Sequence, residues 1–462
     1  MEGFFDYGVL QWVLVIGSSI VLLLVSPTAR TPAAFFKGAR RDRTPGALAL
    51  TSSLVISWLF AKSITNAANL GLSFGLIGGI AYAGYYLSFA VAGIVIYFMR
   101  TRGGYRSIHD FLRTRFGRGA VLVFSLLICF RLFNEVWSNT MVIGSYFGEI
   151  GSAPYYWSIL VFTLLTLAYS LRGGMSSSIL TDVIQMVLFG VLLTVILGAI
   201  LPRLDYQLTP LLNAGSAPPD VTDHTLFSGG VNLLLVAVLQ SLSYPFHDPV
   251  LTDRGFIAGP KTTLKAFLWA VPIGALCIVL FSLVGVYGKL LGVEGQAPVE
   301  VARILGGPIL LVMNFIMITS AASTLDSTFA SFSKLAVVDL GAAGAHATPT
   351  HGRYAMVAIT LLGTLPVFLN PTILSATTIS GAMVVGLAPV FCLWWLPVPK
   401  GSFYASVFGG LCFGTSYVLG WWPESLWIGQ GAYADLLGLT VVSLLACFFL
   451  YLLPFAYRNR RE

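Results

Sequence analysis

Residues 317–335 read MITSAASTLDSTFASFSKL. Ser320, Ser323, Thr324, Asp326, Ser327 and Thr328 crowd into nine residues of a run that is otherwise apolar from about residue 305. A run of that length can cross a bilayer, which takes about 17–25 mostly apolar residues. An ionisable group at mid-bilayer costs about 2.5–3.5 kcal/mol on insertion scales, so polar groups there mark a candidate site. Hydroxyl and carbonyl oxygens suit a hard cation such as sodium better than a soft metal. The plainer alternative is a Ser/Thr patch that only binds helix to helix.

The rest of the chain has the same character. Of its 462 residues, 56% are hydrophobic and 10% charged, against roughly 25% charged in an average soluble protein. The mean hydropathy is +0.84. These values exclude a soluble enzyme, a disordered chain and a nucleic-acid-binding domain, and leave an all-α polytopic membrane protein. Thirteen spans are expected, near 8–25, 48–70, 75–99, 119–147, 155–171, 178–201, 229–247, 265–288, 305–335, 353–369, 372–398, 402–420 and 434–455. The opening MEGFFDYG has two acids and no base, so the first run reads as a retained helix and not as a cleaved signal peptide. The five cysteines lie in apolar segments without metal-ligand spacing and read as packing residues.

The net charge of +7 reads as topology, because the bases gather in alternate loops. One side holds Arg30, Lys37, Arg40, Arg41 and Arg43, then six arginines within 100–118, then Arg172, Arg254, Lys261, Lys265, Lys334, Arg353 and Lys400, and finally Arg458, Arg460 and Arg461. The opposite loops at 148–154 and 421–433 carry only Glu149 and Glu424, and the longest, 202–228, is no longer than one external loop. The positive-inside rule then puts the N-terminus outside and the C-terminus in the cytoplasm.

Three further spans are polar. In the second, Lys62, Asn66 and Asn69 are spaced i, i+4, i+7 on one helical face, with Ser63 beside them. In the fourth, Arg131 and Glu135 are i, i+4 and can pair as a structural couple, while Asn134 and Asn139 can reach a cavity. In the seventh, Gln240 and Tyr244 precede Pro245 and Pro249. Each proline removes a backbone donor, and a helix broken at membrane depth is tolerated where it lines a cavity.

At these residues the chain resembles the sodium/solute symporter family, which includes sodium/proline and sodium/sugar symporters. SAASTLDSTFASFSKLAVVDL (320–340) looks like the family's eighth core helix, and LRGGMSSSILTDVIQ (171–185) like the segment that opens the fifth. DPVLTDRGFIAGPKTTLKA (248–266) and RSIHDFLRTRFG (106–117) are similar to loops after the sixth and second. The resemblance implies one transport domain over 1–462 with a leucine-transporter-like core of five plus five helices. The inverted repeats would be 48–201 and 229–398, with an extra N-terminal helix at 8–25 and two C-terminal ones over 402–455. Inverted-repeat carriers bind cargo near the midplane, where core helices break.

The resemblance also implies a sodium site made of the Ile56, Leu59 and Ser320 carbonyls and the Ser323 and Thr324 hydroxyls. It makes Asp182 an ion-coupling acid, for which a helix N-terminal cap is the plain alternative. Asp326 joins it as a coupling candidate. The chain departs from the family's Gly-x-x-Gly pattern, with Asn66, Asn69 and Leu72 ahead of Gly75, and no Gly or Pro marks a break at Ile56–Leu59. Lys62 follows three residues after a sodium ligand. Either Glu135 or Asp326 neutralises it, or it faces the solute, or it replaces the ion.

The expected function is sodium-coupled symport of a small polar solute by alternating access, in a multi-pass protein of the plasma membrane, as in a bacterial inner membrane. Lys62, Ser63, Asn66, Asn69, Glu135, Asn139, Gln240 and Tyr244 are the candidate solute contacts. A buried lysine leans the choice towards an amino or organic acid. The rivals are a sodium-independent or proton-coupled carrier in which Lys62 takes the cation's role, a non-transporting solute sensor, and a membrane transferase. For the sensor, an output domain after the last span is not expected. The transferase has only the adjacent pairs His109-Asp110 and His247-Asp248, which do not face one way on a helix.

Overall fold

The computed structural model describes residues 7–38, 44–214, 230–342, 344, 346–370 and 380–459. The expected topogenic bases Arg40, Arg41, Arg43, Arg460 and Arg461, the later part of the 202–228 loop and the opening of the 372–398 span lie outside the described residues. No β-strand occurs among the described residues.

The helices that matter run in chain order. The first are α1 (Tyr7–Val25), α2 (Pro32–Lys37), α3 (Ala47–Trp58) and α4 (Ala61–Phe74). Then come α5 (Leu76–Thr101), α6 (Ile108–Phe116), α7 (Arg118–Gly144), α8 (Ala153–Gly173) and α9 (Met175–Ile200). They continue with α10 (Gly230–Gln240), α11 (Pro249–Arg254), α12 (Pro260–Leu290), α13 (Ala297–Leu305) and α14 (Gly307–Lys334). The last are α15 (Pro349–Thr364), α16 (Leu387–Cys392), α17 (Lys400–Val418) and α18 (Ala434–Asn459).

Among the described residues nine helices are long and apolar enough to span a membrane, and ten if α3 and α4 count as one bent span. The nine coincide with nine of the thirteen expected spans. The expected span at 48–70 is broken, because its axis turns by 63° between α3 and α4. The 229–247 span is the short α10 followed by a turn and a 3-10 segment at Tyr244–His247. In 372–398 the described part holds only the six-residue α16. The 402–420 span forms α17, but its Gly, Ser, Thr and Tyr dilute its apolar character and it is not among the nine.

The chain forms two compact units. The first comprises Met1–Gly79, Leu132–Ser216 and Leu276–Ile373; the second comprises Ile80–Arg131, Ala217–Ala275 and Leu374–Glu462. Both expected repeats, 48–201 and 229–398, give residues to each unit. In the first unit α14 is central and packs on α3, α8, α9, α13 and α15. In the second, α10 and α17 both pack on α18, around Val236, Ala382, Leu436 and Leu439.

Close backbone approach holds α4 in place. A Cβ on Gly285 would stand 1.7 Å from the Ala68 carbonyl oxygen, and one on Gly71 would stand 2.3 Å from that of Ser282. Small residues at such crossings let membrane helices meet without side chains between them. A Gly285→Val variant should therefore lose about 1–3 kcal/mol or more, the usual range for overpacking. Thermal melting in detergent checks this, with Gly190→Val, where a Cβ meets nothing within 4 Å, expected to melt like the parent.

Candidate cation and solute sites

The first unit builds a polar centre around the break between α3 and α4. α3 ends at Trp58, Leu59 takes ψ 57°, and Phe60 takes ψ 144° before α4 starts. The last carbonyls of a helix lose their in-helix donors, and no water reaches them at membrane depth. Here α14 supplies a donor, since the Ser320 hydroxyl donates to the Leu59 carbonyl. The Ser320 carbonyl in turn accepts the Thr324 hydroxyl at 3.0 Å. Ser323, one turn along, donates to Asp182 Oδ1 at 2.5 Å. Leu59, Ser320, Ser323 and Thr324 thus lie together, and Ile56 is buried in the last turn of α3.

Asp182 is fully buried. Its Oδ2 accepts hydroxyls from Ser53 at 2.5 Å and Ser57 at 3.3 Å. The helix-cap alternative for Asp182 fails, because α9 starts at Met175 and Asp182 lies two turns inside it. Hydroxyls carry the network further: Ser57 meets Ser327 at 3.2 Å, and Ser327 meets Ser178 at 2.9 Å. Asp326 accepts Thr181 at 2.8 Å and Ser327 at 3.3 Å. Tyr169 donates to the Ala322 carbonyl at 3.1 Å. Sequence reading passed over Ser53, Ser57 and Ser178. The i, i+4 spacing of Ser53 and Ser57 in an apolar span was the available signal.

Of the two acids offered to Lys62, the structure pairs it with Glu135. The Lys62 ammonium lies 2.7 Å from Glu135 Oε1, and both side chains are buried. Asn139 secures the pair by donating to Glu135 Oε2 at 2.9 Å while its own oxygen accepts the Lys62 backbone N–H at 3.3 Å. The Phe60 ring lies 5.3 Å from the ammonium. Asn66 is buried one turn on, and its amide nitrogen has no hydrogen-bond partner among the described residues. Ser63 is buried as well. Asn69 has another task, accepting the Ala297 backbone N–H at the start of α13 at 2.9 Å.

The second unit has its own polar cluster where α10 ends. Gln240 accepts the Tyr85 hydroxyl at 3.0 Å and donates to Thr440 at 3.3 Å. The Tyr85 and Tyr244 rings lie 5.6 Å apart. The Arg131 guanidinium stands 5.2 Å from the Tyr244 ring and 3.3 Å from Asp248 Oδ2. Asp248 also caps α11 by accepting the N–H groups of Val250 and Leu251. Arg131 and Glu135, one turn apart on α7, thus each hold an oppositely charged partner on a different segment.

No curated protein matches the chain. Among solved structures, a Na+-coupled sialic acid symporter in a substrate-bound outward-open state is 15% identical, with a TM-score of 0.68 over 97% of this chain and 98% of that one. Mhp1, a nucleobase-cation-symport-1 family transporter, in a closed conformation with bromovinylhydantoin bound, is 13% identical, with a TM-score of 0.60 over 95% and 96%. Its inward-facing form is 15% identical, with a TM-score of 0.54 over 94% of each chain. These likenesses show a shared fold, the leucine-transporter-like class. The model of the sodium:solute symporter family matches residues 35–216.

Proposed function

We propose that the chain is a sodium-coupled secondary transporter whose cation is held by the carbonyls of Ile56, Leu59 and Ser320 and the hydroxyls of Ser323 and Thr324. The observation that carries this reading is the contact of Ser320 with Leu59, which joins the broken span to the hydroxyl face of α14. The donor set is all oxygen, as a hard cation prefers. A sodium ion there would replace hydroxyl protons as the bridge between the two helices, so its occupancy favours the conformer in which they touch. Asp182 would supply the compensating negative charge through Ser323. An inward sodium movement supplies about 2.3 kcal/mol per charge for each 100 mV of potential. Solute and ion must both favour the same conformer for one to drive the other.

The Lys62–Glu135 pair refines the solute. A plain organic anion has to draw Lys62 from Glu135 and leave a buried carboxylate unmatched. A zwitterion such as an amino acid can meet the pair charge for charge, with its carboxylate towards Lys62 and its ammonium towards Glu135. Asn66 offers a further donor. The pairing also speaks against Lys62 standing in for the cation. The basic loops support a plasma-membrane protein with its C-terminus in the cytoplasm, and 48–201 and 229–398 are the proposed inverted repeats.

Two outcomes follow. Sodium should raise the melting temperature of the purified protein relative to equimolar choline, and Ser323→Ala with Thr324→Ala should weaken the apparent sodium affinity at least about tenfold, a loss of about 1.4 kcal/mol. A melting temperature indifferent to the swap of cation ends the proposal. Lys62→Met alone should cost about 3–5 kcal/mol by leaving Glu135 buried and unmatched. Lys62→Met with Glu135→Leu should recover most of that stability yet lose zwitterion uptake in proteoliposomes. Retained uptake in the double variant would mean that the pair is structural.

A further inference from the structure

The hydroxyls of α14 extend beyond the proposed cation site. Ser320, Ser323, Thr324, Ser327 and Ser331 recur at three- and four-residue spacing and so share one face. Ser327 touches Ser178 of α9 at 2.9 Å. Continued by one turn, the register set by Ser323 with Asp182 and Ser327 with Ser178 places Ser331 at the level of Gly174, just before α9. Buried helical Ser and Thr usually return their hydroxyls to a carbonyl one turn back, as Thr319 and Thr324 do. On that face Ser331 is buried, and its hydroxyl has no hydrogen-bond partner among the described residues. This oxygen is available to a passing ion.

Phe35 of α2 lies across the end of this track. A Cβ on Gly174 would stand 2.5 Å from the Phe35 carbonyl oxygen and 3.0 Å from its ring. A Cβ on Gly352 would stand 2.5 Å from the same ring and 2.6 Å from Ser333 Oγ. The ring is 1% exposed. The segment that bears it is held by short contacts: Ala29 N–H to the Arg172 carbonyl at 3.0 Å, and the Ser176 hydroxyl to the Ala34 carbonyl at 2.5 Å. The Arg353 guanidinium stands 5.4 Å from the Phe35 ring and donates to the Leu171 carbonyl at 2.8 Å.

Resting on the sodium reading above, we propose that Ser178, Ser327 and Ser331 form a release route for the desolvated cation and that Phe35 is its plug. Hydroxyl oxygens pass the ion from Asp182 one turn at a time. The phenyl ring then ends the track, because it offers no lone pair and excludes water, and the fixed charge of Arg353 beside it repels the ion. Release requires α2 to lift Phe35 from the Gly174 and Gly352 surfaces. Ser331 acts on the rate of release and leaves the equilibrium site intact.

The test is efflux of radioactive sodium from proteoliposomes without solute. Phe35→Ala should raise efflux about tenfold, a barrier change of about 1.4 kcal/mol, while Phe35→Leu should match the parent. Adding Ser331→Val to Phe35→Ala should abolish the increase. A Phe35→Ala protein with parental melting temperature and parental efflux overturns the plug, as does a leak that passes choline equally well. Should Phe35→Ala fail to fold, Ser331→Val alone decides: slower sodium release at unchanged sodium affinity supports the route, and an unchanged rate removes it. Parent protein that melts alike in sodium and choline would sink the site itself. A sodium-responsive parent with unaltered Phe35→Ala efflux sinks only the plug.

Discussion

A backbone carbonyl that leaves its helix inside a bilayer must find a donor in protein, because none is available from solvent. The break after Trp58 creates that demand at Leu59, and Ser320 meets it. The polar centre of the first unit follows from this one exchange. It brings α14 against the end of α3 and aligns Ser323 with Asp182, which also accepts Ser53 and Ser57, while Ser327 and Ser178 extend the network from Ser57. Small hydroxyl donors meet the oxygens of this buried carboxylate, which would otherwise be left unsatisfied.

The second buried charge system is built on the opposite plan. Lys62 and Glu135 lie in direct contact, braced by Asn139. Breaking such a pair by removing one member is far more damaging than replacing both. The two systems thus differ within one unit: Asp182 is met by neutral hydroxyls, and Lys62 by a charged partner.

The spans were largely legible in the sequence, since hydropathy over some twenty residues is a property of the segment itself, and so was the polar face of α14. The partner of Lys62 was not, because Glu135 and Asp326 are equally good acids at the level of composition and only packing chooses between them. The break at Leu59 was reached through alignment with Gly75 alone, with no glycine or proline to announce it. Asn69 shows the limit of helical spacing. It shares a face with Lys62 and Asn66, yet by the next turn its side chain has reached the start of α13. Asp182 could be read as a cap only while the start of α9 was unknown.

Asn69 has a mechanical meaning. Its amide oxygen ties the far half of α4 to α13 at Ala297, and the glycine crossings at Gly71 and Gly285 clamp the same half against α12. The near half is tied as well, through Lys62 to Glu135 and Asn139 of α7. α4 is therefore a beam held at both ends, and the joint lies outside it, at Leu59 and Phe60. A tilt of α3 against α4 would be taken up there, at the very carbonyl that Ser320 grips.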